Sequence, residues 1–238
     1  MSAPLPQAID AELAALSDLV YGPDWDAVEQ GAHALTWHLI GRFDHAGAEA
    51  MLCRRYPRNG TPARYALVFR GTEIGHFRWR DLAANVVGWP TPWAGPGRVH
   101  SGYWRQLSRI LGRARDRYRA HDSDLLVCGH SMGGALATAF AALVCAQGDR
   151  APAALVTFGA PASLDTRAAA AIACPQRRYV VEGDPAPLWP PIRRLRHGAP
   201  PIRLPAPSMR LDRGLAGLWP LAHHDIAWYR ASLEGLTR

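Results

Sequence analysis

A chain of 238 residues, 48% of them apolar and 20% charged, can bury one continuous core and is too apolar to stay unfolded. Its apolar stretches are broken by Gly, Pro or Arg well short of the ~18 residues that a membrane-spanning helix needs, so no transmembrane segment is expected. The net charge of +7 comes from arginines spread along the whole chain with no lysine and no nucleic-acid motif. It therefore reads as a solvated basic surface without a nucleic-acid partner, with attraction to anionic lipid or an acidic partner as the alternative.

Residues 1–14 lack the basic and apolar regions of a secretory signal peptide. That makes the cytoplasm the default location and leaves signal-independent export open. Residues 10–21 (Asp10, Leu13, Leu16, Leu19, Val20) have the spacing of an amphipathic helix. Alternating segments at 35–43 and 49–56 read as an antiparallel hairpin, and Tyr65–Phe69 as a buried strand ending at Arg70-Gly71-Thr72. From residue 100 the pattern becomes strand–helix alternation. A helix over 100–120 carries six arginines (Arg105, Arg109, Arg113, Arg115, Arg117, Arg119) as solvated faces around Trp104, Leu107, Leu111, Ala114 and Tyr118. Strands follow at 124–128, 153–158 and 178–181, with a small-residue helix over 132–147 and another capped near Asp165. Residues 186–222, rich in Pro, Leu and Arg, read as an irregular cap, and the last helix spans about 224–236. Repeated strand–crossover–strand units imply an α/β fold with a central, mostly parallel sheet and helices on both faces. The four cysteines (Cys53, Cys128, Cys145, Cys174) lack C-x-x-C pairing and read as buried free thiols.

Gly129-His130-Ser131-Met132-Gly133 lies between an apolar strand and a helix, the context that a G-x-S-x-G nucleophile elbow requires. Such a turn lifts the serine oxygen above the sheet and sets it at a helix N-terminus, where backbone N–H groups favour developing negative charge. A serine nucleophile needs a carboxylate and a histidine, in the chain order Ser, Asp/Glu, His on this fold. Asp184 follows a strand end, where the crevice of an α/β sheet opens, whereas Asp165 fits a helix N-cap. The downstream histidines are His197, His223 and His224; helical phase slightly favours His223, and a loop entry to the last helix favours His224. His100 is expected to hydrogen-bond backbone near the site, His130 to pack away from the crevice, and Asp81 to be a buried structural carboxylate. Adjacent residues on a helix diverge by about 100° and no H-x-x-x-H spacing exists, so no metal is expected.

Six ordered motifs between Ala66 and Tyr229 resemble the class 3 lipase family of the α/β-hydrolase superfamily. They are Leu67-Val-Phe-Arg-Gly-Thr72, Trp79-Arg-Asp-Leu82, Val99-His-Ser-Gly-Tyr103, the elbow through Leu136, Thr157-Phe-Gly-Ala-Pro161 and Glu182-Gly-Asp-Pro-Ala-Pro187. The resemblance implies Ser131 as nucleophile, Asp184 as acid and His224 as base. It also implies an oxyanion hole from Thr72 and the Met132 N–H, with Asp81 bracing the oxyanion loop. Two departures stand out: the doubled histidine, and a 188–222 stretch rich in Arg and Trp. The expected organisation is one α/β-hydrolase domain over 1–238, with a small lid in 73–98 and the cap in 186–222.

The expected reaction is ester hydrolysis through an acyl-enzyme on Ser131, without cofactor or metal. An apolar rim (Phe77, Trp79, Val86, Val87, Trp89, Trp93, Trp189, Trp219) would seat an acyl chain or meet a lipid interface, with Trp79 and Trp89 as substrate-binding residues. Alternatively those side chains pack the lid against the body. The partner is then an acyl-ester or lipid substrate. A small-molecule carboxylesterase, a phospholipase steered by arginines, and a catalytically silent hydrolase-like binding module are the rival readings.

Overall fold

The computed structural model describes residues 8–57, 63–71, 88–120, 124–206 and 221–236. Within them a seven-stranded sheet runs in the order β1-β2-β3-β6-β7-β8-β9. Its first part is a meander: β1 (His38–His45), β2 (Ala48–Arg55) and β3 (Arg64–Phe69) pair antiparallel. The β1–β2 turn is made by Ala46 and Gly47, both at positive φ (51° and 79°), the conformation that a two-residue hairpin needs. The rest is parallel: β3 beside β6 (Leu125–His130), then β7 (Ala154–Phe158), β8 (Gln176–Val181) and β9 (Pro201–Leu204). A separate two-stranded ladder joins β4 (Pro90–Thr91) to β5 (Val99–His100).

Strand alternation divides the core in two. Leu52, Leu67, Phe69, Val127 and Leu155 point to one face, under α3 (Ser101–Arg119) and α4 (Met132–Ala146). Met51, Cys53, Ala66, Val68, Cys128, Val156 and Phe158 point to the other. That face is covered by α1 (Ala8–Leu19), α2 (Trp25–Ala34) and α6 (Ile226–Leu236). The fold is therefore an α/β sandwich of a mixed, mostly parallel sheet with helices on both faces, the architecture of an α/β-hydrolase core. No helix among the described residues is long and apolar enough to cross a membrane.

The one-turn helix α5 (Thr166–Ala169) starts at Asp165, whose carboxylate accepts from the Ala168 N–H at 2.8 Å, as an N-cap should.

Several expectations change. Residues 25–34, for which the sequence suggests no element, form helix α2, opened by Asp24 accepting from the Ala27 N–H at 2.8 Å. Residues 201–204, placed in an irregular cap, form the edge strand β9, with Ile202 and Leu204 buried and Arg203 exposed. The buried stripe of α3 is Tyr103, Leu107, Ile110, Ala114 and Tyr118, so Trp104 and Leu111 lie at its margin. Its arginines are also more than a solvated face. Arg115 and Arg119 both pair with Asp149 (2.6 and 2.7 Å), and Arg109 and Arg113 donate to the Ala46 and Asp44 carbonyls of the β1–β2 hairpin. Cys53 and Cys128 are buried free thiols, and burial pushes both up to about 12. Cys145 and Cys174 are only partly buried.

Candidate active site

The elbow forms where β6 runs into α4. Ser131 sits between them at φ 56° and ψ −129°, a region that a non-glycine residue occupies at a cost of about 1–3 kcal/mol. The surrounding packing enforces it. A Cβ on Gly133 would lie 2.1 Å from the Phe69 carbonyl oxygen, and one on Gly129 would lie 2.5 Å from the Gly133 backbone. Glycine at both positions lets β3, β6 and α4 approach closely enough to make the turn. The Ser131 N–H is held by the Phe158 carbonyl at 2.9 Å, and its own carbonyl accepts the first α4 bonds, from Gly134 and Ala135. Met132 opens α4, so its N–H precedes those first helical bonds. Gly71, at the end of the β3 connection, lies against the elbow: a Cβ there would stand 3.3 Å from that of Ser131.

Asp184 follows β8 and is buried, its Oδ1 accepting from the Ala186 N–H at 2.8 Å. His224 ends a short 3-10 turn (Leu221–His224) ahead of α6 and is fully buried. Its Nδ1 lies 2.9 Å from Asp184 Oδ2 and its Nε2 lies 2.8 Å from Ser131 Oγ. A carboxylate only accepts, so Nδ1 carries the hydrogen and Nε2 is left as the acceptor for the Ser131 hydroxyl. That is the tautomer a general base requires. His223 turns the other way: its Nδ1–H donates to the Glu182 carbonyl at 2.5 Å and its ring stacks on Trp228 at 4.9 Å.

Three further residues complete this cluster, and their role was not evident from sequence. Tyr229, on α6, donates its hydroxyl to Asp184 Oδ2. Burial first, and the Asp184 charge second, hold that phenol well above its ordinary range, so it stays a donor. Gly159, at φ +58°, forms the floor: a Cβ there would meet Asp184 Oδ2 at 2.7 Å, the Tyr229 hydroxyl at 2.8 Å and His224 Cε1 at 3.0 Å. His130 has the packing role expected of it, and it packs beside the His224 ring. Its ring lies 4.7 Å from that of His224, and its Nε2–H donates to the His224 carbonyl at 2.7 Å. Its Nδ1 accepts from the Tyr21 hydroxyl at 3.1 Å. Burial, then the neighbouring His224, push His130 well below its ordinary value, so it adds no positive charge beside the base. The position of Tyr229 five residues after His224 was a readable signal; the reach of Tyr21 across 109 residues was not.

The remaining expected residues fall elsewhere. His100 is fully buried, and among the described residues neither ring nitrogen has a hydrogen-bond partner, so its side chain does not bond their backbone as expected; its N–H donates to the Ser163 carbonyl. Its ring packs on Tyr103 at 4.3 Å, and burial with the Arg105 charge lowers it to about 4. His197 donates to the Pro187 carbonyl at 2.9 Å, away from the triad. Trp89 stands 73% exposed. Thr72, Trp79 and Asp81, with Phe77, Val86, Val87 and Trp219, lie outside the described residues. Among the described residues no group of three or more His, Cys, Asp or Glu is arranged to hold a metal ion.

A family model described as Lipase (class 3) matches residues 66–194, more than half of the chain. No curated protein sequence matches. Among solved structures, the chain is similar to the Rhizomucor miehei triacylglyceride lipase, with a TM-score of 0.66 at 22% identity, covering 86% of this chain and 82% of that one. It is similar to lipase II from Rhizopus niveus, with a TM-score of 0.66 at 19% identity and 91% of each chain covered. It is likewise similar to the Lip2 lipase from Yarrowia lipolytica, with a TM-score of 0.65 at 18% identity, covering 86% and 81%. At such identities the likeness of the structures establishes the fold, and the family model supplies the kinship. The chain belongs to the class 3 lipase family and is a serine ester hydrolase.

Proposed function

We propose that the chain hydrolyses acylglycerols or other acyl esters through an acyl-enzyme on Ser131. The observation that carries this is His224, buried and bridging Ser131 Oγ and Asp184 through its two ring nitrogens. His224 Nε2 takes the Ser131 proton as Oγ bonds to the ester carbonyl carbon, and the resulting oxyanion accepts from the Met132 N–H and from Thr72. The imidazolium, steadied by Asp184, then gives its proton to the departing alkoxide as the C–O bond breaks. Water enters by the same route, and the carboxylic acid leaves with Ser131 regenerated. Residues 73–98 act as the lid, and Trp79 and Trp89 contact the acyl chain or the lipid interface. No step calls for a cofactor.

The test is turnover of p-nitrophenyl esters of short and long acyl chains, with and without a serine-directed phosphonate. Ser131→Ala and His224→Ala lose nearly all turnover with folding intact, while His223→Ala keeps a substantial fraction and loses stability with its Glu182 bond. An inactive His223→Ala beside an active His224→Ala would move the base by one residue. Asp184→Asn lowers turnover by roughly 10³–10⁴, because imidazole loses its orientation and its charge partner. A rate that jumps when a long-chain ester forms an emulsion supports the lid, and simple saturation by monomeric ester removes it.

A further inference from the structure

Strand β8 carries two adjacent arginines that differ in their partners. Arg177 points to the α1 face, where it is buried and paired with Asp10 at 2.7 Å. Arg178 points to the opposite face, as alternation along a strand requires. There it lies beside Thr157 of β7 and Pro201 of β9, just as Gln176 lies beside Leu155. The loop before β9 folds over this part of the sheet. The Arg178 Nε–H donates to the Ala199 carbonyl (3.0 Å), and the Arg196 N–H donates to that of Leu164 (2.6 Å). The approach is close: a Cβ on Gly198 would stand 2.2 Å from Gln176 Oε1. Between this loop, the sheet and α4 lies a cavity of about 10 Å³, room for one water-sized occupant. Thr138, Thr157, Ser163, Gln176, Arg178 and His197 are among its walls.

The half-buried Arg178 guanidinium faces no carboxylate among the described residues. Asp165, the one acid in 150–181, caps α5, and 185–206 contains none. Burial, joined by the like charge of Arg203, lowers Arg178 to about 10. Arg54, also half-buried and without a carboxylate, has instead the rings of Tyr56 and Tyr65 at 4.4 and 5.6 Å. The other walls supply no negative charge. Burial, then Arg178, lowers His197 to about 4, so it stays neutral, with its Nε2–H on the Pro187 carbonyl. The Thr138 hydroxyl donates to the Gly134 carbonyl, and the Arg196 guanidinium donates to those of Arg193 and Leu195. Ser163 is 1% exposed, and its hydroxyl has no partner among the described residues. A partly desolvated cation beside a polar void calls for a counter-charge; water can meet the donors there but not the charge. We propose that the cavity binds one small monovalent anion of about the size of chloride. Arg178 supplies the charge, and the Thr157 and Ser163 hydroxyls donate to the ion. The bound ion fastens the loop before β9 onto β7 and β8.

The experiment uses bromide as the probe, read once by diffraction and once by its linkage to folding. Crystals of the full chain grown in NaBr are expected to show an anomalous bromide peak in the cavity, in contact with Arg178. Crystals of Arg178→Gln show none there. In solution the thermal midpoint of the wild type rises with NaBr and saturates, as a ligand of the folded state requires. That rise exceeds the one in sodium gluconate at equal ionic strength, and Arg178→Gln loses the excess. Thr157→Val, which keeps the side chain's shape and removes one donor, binds bromide about tenfold more weakly. Three results overturn the proposal. One is a cavity that holds only water in the bromide crystals. Another is an equal rise in gluconate, which is the screening of a net charge of +7. The third is a bromide effect undiminished in either variant.

Discussion

Asp184 Oδ2 receives two hydrogen bonds, from His224 Nδ1 and from the Tyr229 hydroxyl, and the second makes Tyr229 a positioning residue. A donor on a carboxylate contributes about 1.5–3 kcal/mol and withdraws charge from it. Tyr229→Phe therefore leaves Asp184 more basic and less fixed. Turnover falls about tenfold by the same magnitude, and the acid limb of the kcat/KM profile moves to higher pH as the imidazolium gains a stronger partner. A pH profile identical to wild type would reduce Tyr229 to packing. Gly159 makes a different demand. Its positive φ already disfavours a side chain, and a Cβ would enter the space shared by Asp184, His224 and Tyr229. Gly159→Ala is expected to cut turnover at least 10²-fold, since small misplacements of reacting groups have effects of about that size. Circular dichroism checks that the chain still folds. Near-normal activity would show that the backbone yields there.

The elements whose chemistry is local were the ones legible in the chain. The elbow could be read because glycine, serine and strand–helix context coincide within a few residues, and Asp184 because a proline follows it at a strand end. His224 was legible only against His223, since its direction is set by the Leu221–His224 turn and not by helical phase. Helix α2 was missed although Asp24 stands as its N-cap, because only Val28 and Ala32 are buried on it and the apolar stripe is thin. Strand β9 was missed for another reason. It has four residues between prolines, and its alternation of Ile202 and Leu204 around Arg203 is too short to stand out from a Pro- and Arg-rich loop. Long-range contacts such as Tyr21 with His130 left no sequence signal at all.

The whole molecule closes through its N-terminal helix and carries its acid sensitivity in buried histidines. Asp10 on α1 accepts from Arg177 Nε and Nη2, both at 2.7 Å, and from the Tyr179 hydroxyl at 2.6 Å, so a fully buried ion pair with an added donor pins α1 to β8. The histidines act differently, because burial holds them neutral. Burial, then the Arg105 charge, lowers His100 to about 4; burial, then Arg178, lowers His197 to about 4; and His130 lies well below its ordinary value. In the unfolded chain each takes up a proton near its ordinary 6.5. Between pH 6.5 and 4 the unfolded state thus binds protons that the folded state refuses, and stability falls as the pH drops through that window. Burial would raise Asp149, but its bonds to Arg115 and Arg119 outweigh this and hold it below its ordinary value, so its contribution is lost at lower pH. The two windows separate the causes. Stability is expected to fall by about 2 kcal/mol per histidine between pH 6.5 and 4.5, since every tenfold weakening of a histidine's proton affinity on folding is worth about 1.36 kcal/mol. Urea midpoints at pH 7.5, 6.5, 5.5 and 4.5 measure it. His100→Leu, which removes two buried ring nitrogens without partners among the described residues, is expected to match or exceed wild-type stability at pH 5.5 and to flatten the slope. Wild-type midpoints that stay level down to pH 4.5, or a His100→Leu slope as steep as the parent, would show that these histidines do not set the acid limit.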